Sequence, residues 1–282
     1  MGRGLTAQDP AGAGGGARGD EPLHALKRAI PEPLPREFFG RPALEVAPDL
    51  LGCVLRHETD AGVVAVLITE VEAYAGAADP ASHAFRGQTA RNAVMFGDPG
   101  HAYVYFTYGM HYCVNLVCLP AGTANAVLLR AGRVAEGTAL AASRRPAGAP
   151  SRDLARGPAR LCQAMGIDRA LDGADVCADG SVLQVFGRSE PVAAISQGPR
   201  VGVSRGAEEP WRFWITGDPT VSVYRPHVPR RRPPAEPASE RRAAALPGLT
   251  SDAGATKEHR WERGGKAARI AARSSPASTA SG

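Results

Sequence analysis

The run "GVVAVLITEVEAY" (residues 62–74) constrains this chain more than any other stretch. Six of its thirteen residues are β-branched and none is proline. Branched Cβ atoms crowd a helical turn but fit a pleated surface, so the run predicts a strand. A second strand from about Cys53 leads into it through "TDAG", which predicts an antiparallel hairpin. "AYVYFTYGMHYCVNLVC" (102–118) reads as two strands about a turn near Tyr108–Met110, and "NAVLLRAGRV" (125–134) as another. Short strands follow at "SVLQVFG", "AAISQGPRVGVS" and "WRFWITG", ending near "DPTVSVY". Helices are few: one over Ala47–Leu51, and one over "GPARLCQAMGI" (157–167) with Pro158 in its first turn. This order implies an α+β fold on an antiparallel sheet. Residues 75–101 form a long connection of low apolar content, and loops of that length are often functional. No internal repeat, glycine-rich phosphate loop or nucleophile elbow is present.

Residues 1–33 and 227–282 are rich in Gly, Ala, Pro, Arg and Ser without apolar periodicity and read as disordered. They leave 34–226 as a single domain with a proper core. The formal charge of +5 invites a nucleic-acid reading, but its distribution tempers it. Residues 1–33 are balanced, 230–282 hold eleven basic against five acidic residues, and the domain between is near −1. A nucleic-acid-binding domain would therefore rely on local arginines. Arginine outnumbers lysine 30 to 3, a bias that suggests G+C-rich coding and a bacterial source. Lys27, Lys257 and Lys266 all lie in the ends, which argues against a lysine imine and leaves carboxylate-activated water as the natural chemistry. The five cysteines form no CxxC pair and stand at no zinc-ligand spacing from histidine, predicting free thiols and no metal site. No run is long and apolar enough to span a membrane, and the N-terminus lacks a signal pattern, so a soluble cytoplasmic protein is expected.

Several residues could carry chemistry. Glu70 and Glu72, at i and i+2, project to one strand face with Tyr74 beside them. One could be a general base at the mouth of a cleft; a solvated, salt-bridged strand end explains them equally well. His83 lies in the long connection among small residues, where a lone histidine is more often an exposed polar residue than a catalytic one. "RGQTARN" (86–92) brings Arg86 and Arg91 beside Thr89 and Asn92, which suits phosphate contacts or ordinary turn capping. Asn115 interrupts an apolar strand and needs partners, structural or from a ligand. Arg130 closes "AVLLR" and wants a carboxylate, for which Glu72 is a candidate. Four of the six tyrosines (103, 105, 108 and 112) crowd one stretch, as a hairpin core or as a surface that stacks on flat ligands.

"FFGRPALEVAPDLLG", "TEVEAYAGAADPASHA", "GQTARNAVMFGDPGHAYVYFTYGMHYCVN", "VLLRA", "GPARLCQAMGI", "PRVGV" and "FWITGDPTVS" together resemble the alkyladenine (3-methyladenine) DNA glycosylase family. The resemblance spans about residues 36–223, in order, and excludes both ends. It implies a curved antiparallel sheet with short surrounding helices and a protruding hairpin, in one mixed domain. It also implies a monofunctional enzyme, without cofactor, metal or lyase step, that acts as a monomer on double-stranded DNA associated with the nucleoid. Such an enzyme flips alkylated or deaminated purines (3-methyladenine, 7-methylguanine, hypoxanthine, ethenoadenine) out of the duplex and hydrolyses the N-glycosidic bond. By motif, Glu72 matches the water-activating glutamate and Arg130 the arginine that helps hold that water. Tyr74, His83 and Tyr105 match the side chains that sandwich the flipped base, Asn115 the asparagine that disfavours a guanine 2-amino group, and Leu128 a pocket wall. Tyr108 matches the intercalating side chain at the hairpin tip, with Met110 beside it, while Tyr103 and Tyr112 are left to hairpin packing. Arg86, Arg91 and the basic tail are expected phosphate contacts. Ala90, His111 and Arg160 depart from the family pattern, and of these His111 could alter the wedge. The competing reading from another class is a non-catalytic lesion- or nucleic-acid-binding module.

Overall fold

The computed structural model describes Met1, residues 32–107 and residues 109–228. The expected disorder of the two ends and the expected place of Tyr108 at the hairpin tip therefore fall outside the described residues. The elements are α1 (Arg36–Phe39), α2 (Ala43–Leu50), β1 (Val54–Thr59), β2 (Gly62–Tyr74), β3 (Ala102–Thr107) and β4 (His111–Cys118). They continue with β5 (Asn125–Glu136), α3 (Thr138–Ser143), α4 (Pro158–Met165), β6 (Leu183–Phe186), β7 (Ile195–Gly198) and β8 (Arg212–Ile215). The strands form one curled antiparallel sheet in the order β3-β4-β5-β2-β1-β6, with β8 on β2 and β7 on β8. This is the mixed α+β architecture that the sequence implies.

β2 is its axis. Residues 62–67 pair with β1, and Glu70–Glu72 pair with β8, while β5 runs along the opposite edge. The β2–β5 ladder shifts register three times, once between Ala65 and Val66 and twice around Glu70. Ile68 faces Gly132 and Glu70 faces Ala131, which leaves Thr69 as an extra residue; Val71 then faces Leu129, which leaves Arg130 as the compensating extra on β5. A bulge of this kind re-aims every side chain beyond it. Val64, Val66 and Ile68 point into the main core before the bulge, and Val71 and Ala73 point there after it. Glu70, Glu72 and Tyr74 are thereby released to the other face. Strict alternation would have put the two glutamates on the same side as Val64, Val66 and Ile68.

The main core joins Val104, Val114, Leu116 and Leu129 to α2 and α4 through Leu50, Leu161 and Met165. A smaller cluster, including Ala84, Met95, Tyr103, Val117 and Ala126, lies apart from it. In α4, Gly166 ends the helix at φ 74°, a left-handed conformation that only glycine adopts without strain.

Three expectations need correcting. α2 begins at Ala43 rather than Ala47, because Ala43, Val46, Ala47 and Leu50 form a helical stripe that buries, despite Pro48 inside it. Only Ile195–Gly198 of the expected strand over 193–204 pairs, and the rest turns away as a loop. The stretch after β8 forms no strand, although its residues hold the sheet through side chains described below.

Candidate active site

The register assembles one surface from four adjacent strands. Leu128 on β5 stands opposite Glu72 on β2 and Asn115 on β4, Asn115 stands opposite Tyr103 on β3, and Cys113 stands opposite Tyr105. Residues opposite one another in an antiparallel pair share a face, as do residues two apart in one strand. Glu72, Tyr74, Leu128, Arg130, Asn115, Cys113, Tyr103 and Tyr105 thus line a cavity of about 360 Å3. Ala81, Ser82 and His83 of the long connection border it, with Val201 and Val203 of the loop after β7. The volume lies in the ordinary range of small-molecule sites, about 300–1,000 Å3.

Glu72 sits at the cavity wall, 0% exposed. Its Oε1 accepts from the Val201 N–H (2.7 Å) and pairs with Arg130 Nη1 (3.1 Å); its Oε2 accepts from the Tyr74 hydroxyl (2.9 Å). A carboxylate offers about four acceptor positions, so Oε2 keeps one for a further donor. Glu70 lies behind that wall and does not line the cavity. Its Oε1 accepts from Arg130 Nε (2.8 Å), Arg212 Nε (2.7 Å) and Ser222 Oγ (2.8 Å), and its Oε2 from the Ser222 N–H (2.6 Å). Neither glutamate is the solvated strand end that was one reading of the sequence. Two carboxylates and two guanidiniums form a buried, balanced set, which lets the charges persist out of water. Burial alone would raise the Glu70 carboxyl, but Arg130 and Arg212 outweigh it and hold it below the usual carboxylate value. Burial would likewise lower Arg130, and Glu72 and Glu70 hold it charged.

The aromatic walls are fixed from behind. Tyr74 packs on the Arg200 guanidinium at 4.7 Å, and Trp211 flanks the same group at 4.9 Å. Arg200 in turn bonds both carboxylate oxygens of Asp79, at 2.5 and 2.9 Å, and so ties the long connection to the loop after β7. His83 Nδ1 meets the Tyr103 hydroxyl at 3.0 Å, and its ring stands edge-on to Tyr105 at 4.5 Å. Burial, followed by the nearby Arg91, lowers His83, so the ring is neutral at pH 7. Burial raises Tyr105, and burial with the neighbouring Glu72 raises Tyr74, so both phenols stay protonated.

Glu72, Tyr74, His83, Tyr105, Asn115, Leu128 and Arg130 therefore meet at one cavity. Asn115 spends one amide N–H on the Tyr103 carbonyl (3.2 Å) and lines the cavity as well. Met110 is exposed near the hairpin turn, and Arg86 and Arg91 are exposed on the connection, away from the cavity. Arg91 donates to the Phe106 carbonyl at 3.3 Å. "RGQTARN" caps its own turn: buried Asn92 donates to the His83 and Gly87 carbonyls and accepts from the Thr89 N–H. Tyr112 packs on Phe106, whereas Tyr103 does more than fill the hairpin, since it orients His83. Asp79, Arg200, Arg212 and Ser222 escaped the sequence reading. Arg212 carried the same signal as Arg130, a charge inside an apolar strand.

A second depression shares Arg130, Pro158 and Val201 with the cavity and carries Arg156, Arg160 and Arg225. Among the described residues, no three His, Cys, Asp or Glu side chains gather as a metal-binding group, and no helix is long and apolar enough to cross a membrane.

The profile of the methylpurine-DNA glycosylase family matches residues 37–219. A relative from Streptomyces avermitilis, named "Putative 3-methyladenine DNA glycosylase", is 59% identical over 203 residues, covering 71% of this chain and 95% of its own. Proteins of the same name from Leifsonia xyli (56% identical; 68% of this chain, 92% of its own) and Methanocella arvoryzae (50%; 68% and 97%) match similarly.

Proposed function

This chain belongs to the methylpurine-DNA glycosylase family, and we propose that it excises 3-methyladenine, 7-methylguanine, hypoxanthine and ethenoadenine from duplex DNA with a Glu72-activated water. The observation that carries this reading is a carboxylate with one unfilled acceptor position at the wall of a cavity faced by Tyr74, His83 and Tyr105. A base inside a duplex hides its glycosidic bond, so the damaged nucleotide turns out into the cavity. Its purine lies between Tyr74 on one side and Tyr105 with His83 on the other, where a cationic alkylpurine gains cation–π attraction. The neutral His83 adds no opposing charge. Water donates to Glu72 Oε2, and its oxygen bonds to C1′ as the N-glycosidic bond breaks. The proton passes to Glu72, and the bonding pair leaves with the purine. A carboxylate fixed in a dry site also stabilises the oxocarbenium charge that develops at C1′. Arg130 orients Glu72 through their ion pair, and Asn115 opposes a guanine 2-amino group.

Tyr108 fills the stack that the base vacates, and Arg156, Arg160 and Arg225 meet the phosphates beside the flipped nucleotide, with Arg86 and Arg91 contacting the strand farther away. Lys27, Lys257 and Lys266 all lie outside residues 32–228, so the proposed reaction uses no lysine imine and leaves an intact abasic site. The test is a set of duplexes, each with one of the four lesions, treated with protein and then alkali. Cleavage at the lesion is expected. Glu72→Gln abolishes turnover but binds lesion DNA, and Tyr108→Ser weakens lesion capture more than folding. Tight binding without abasic sites on any duplex makes the protein a lesion-binding module instead. Normal cleavage by Glu72→Gln removes Glu72 as the base.

A further inference from the structure

We propose that Glu70 is a positioning residue for hydrolysis: it fixes the Arg130 guanidinium against Glu72 by tying it, with Arg212 and Ser222, into one buried network. This rests on the glycosylase reading above. Arg130 is held at three points: Nε on Glu70 (2.8 Å), Nη1 on Glu72 (3.1 Å) and Nη2 on Ser222 Oγ (3.4 Å). A planar guanidinium with Nε and Nη1 committed to different carboxylates cannot rotate. Without Glu70 it keeps only the Glu72 contact and the long bond to Ser222 Oγ, and its plane is free to tilt. Arg130 reaches Glu70 from β5, and Arg212 reaches the same oxygen from β8, on the opposite edge of β2. The bulge at Thr69 and Arg130 provides this arrangement, because it turns Glu70 and Glu72 to the face on which both arginines lie.

The charges are not screened. Glu70 and Glu72 are 0% exposed, Arg212 4% and Arg130 5%. Glu72 therefore responds to the whole network and not to its nearest partner alone. The other groups that face it are Tyr74 from β2, Tyr105 from β3, Cys113 from β4 and Arg200 behind Tyr74. Burial keeps the two phenols and the thiol protonated, and Asp79 balances Arg200.

Glu70→Gln keeps the shape of the side chain and removes its charge. Glu72 is then left as the one carboxylate between the two guanidiniums. Loss of the tether reduces single-turnover excision roughly tenfold or more, with lesion-DNA affinity held within about threefold. The tether is read by 15N NMR of the Arg130 Nε–H in the DNA-free full chain, assigned by the signal missing in Arg130→Lys. That proton, held on Glu70, should exchange with water measurably faster in Glu70→Gln. Faster exchange together with slowed excision supports the proposal. Unchanged excision, or an unchanged Arg130 signal with only a lowered melting temperature, makes Glu70 merely structural and overturns it. If Glu70→Gln does not fold, Glu70→Asp, which keeps the charge and shortens the tether, is read in the same way. Should the unsubstituted protein spare every lesion, the glycosylase reading fails alone, and the Arg130 signal still decides the role of Glu70.

Discussion

Arg200 is 1% exposed, packed between the rings of Tyr74 and Trp211 with both Nη atoms on Asp79. One side chain thus supports the back of a stacking wall and anchors the connection that carries His83. Removing one member of a buried ion pair leaves the other charged in a place water cannot reach, at a cost of about 3–5 kcal/mol. Arg200→Met should destabilise by that amount in urea unfolding. The Arg200→Met/Asp79→Asn double variant should lose less than the sum of the two single changes, since the pair is in direct contact. An additive cycle would mean that the two residues act independently. The same attention to neighbours separates the glutamates: of two identical side chains two residues apart, Glu72 lines the cavity and Glu70 is enclosed by Arg130, Arg212 and Ser222 behind it.

At the scale of elements, the decisive feature is the pair of register shifts around Glu70 in the β2–β5 ladder. Gly132 lies at a close approach of the two strands: a Cβ there would overlap the Val66 Cγ1 methyl and stand 2.5 Å from the Leu67 carbonyl oxygen. The neighbour on one side is backbone and cannot yield cheaply. Gly132→Ala should cost about 1–3 kcal/mol in thermal unfolding, as overpacking does. Because the shift places Arg130, excision should fall further than the loss of folded protein explains. Excision that merely tracks the folded fraction would separate strand spacing from the site. The long connection shows the opposite principle: Asn92 and Asp79 fasten it through local and distant bonds, so a segment poor in apolar residues still holds His83 in place.

Over the whole molecule, all five cysteines are free and four are buried. Burial pushes Cys53 and Cys177 up to about 11, so neither is a thiolate at neutral pH. The thiolate is the reactive form, and in the native protein a disulfide reagent at pH 7.5 should therefore react slowly, at the partly exposed Cys177 first. In urea, five thiols per chain should titrate at once. Rapid stoichiometric labelling of the native protein would contradict this electrostatic picture. Free thiols at every position agree with the cysteine spacing, which offered neither a disulfide framework nor a metal site.

The sequence by itself determined the elements and the ingredients. Runs of branched and aromatic residues specified the long strands, because alternation and β-propensity are local properties. The motif blocks named Glu72, Tyr74, His83, Tyr105, Asn115, Leu128 and Arg130 before any contact was visible. Short elements were less legible: α2 contains a proline, and the segment after β8 contributes through Ser222 without forming a strand. Only the tertiary structure decided which glutamate lines the cavity. Arg212 and Ser222, 142 and 152 residues beyond Glu70, enclose it behind the wall, and the Thr69 bulge chooses the face on which this happens. Which neighbours enclose a side chain is a property of the fold. Two identical side chains at equivalent strand positions carry no local mark of which one will face a cavity.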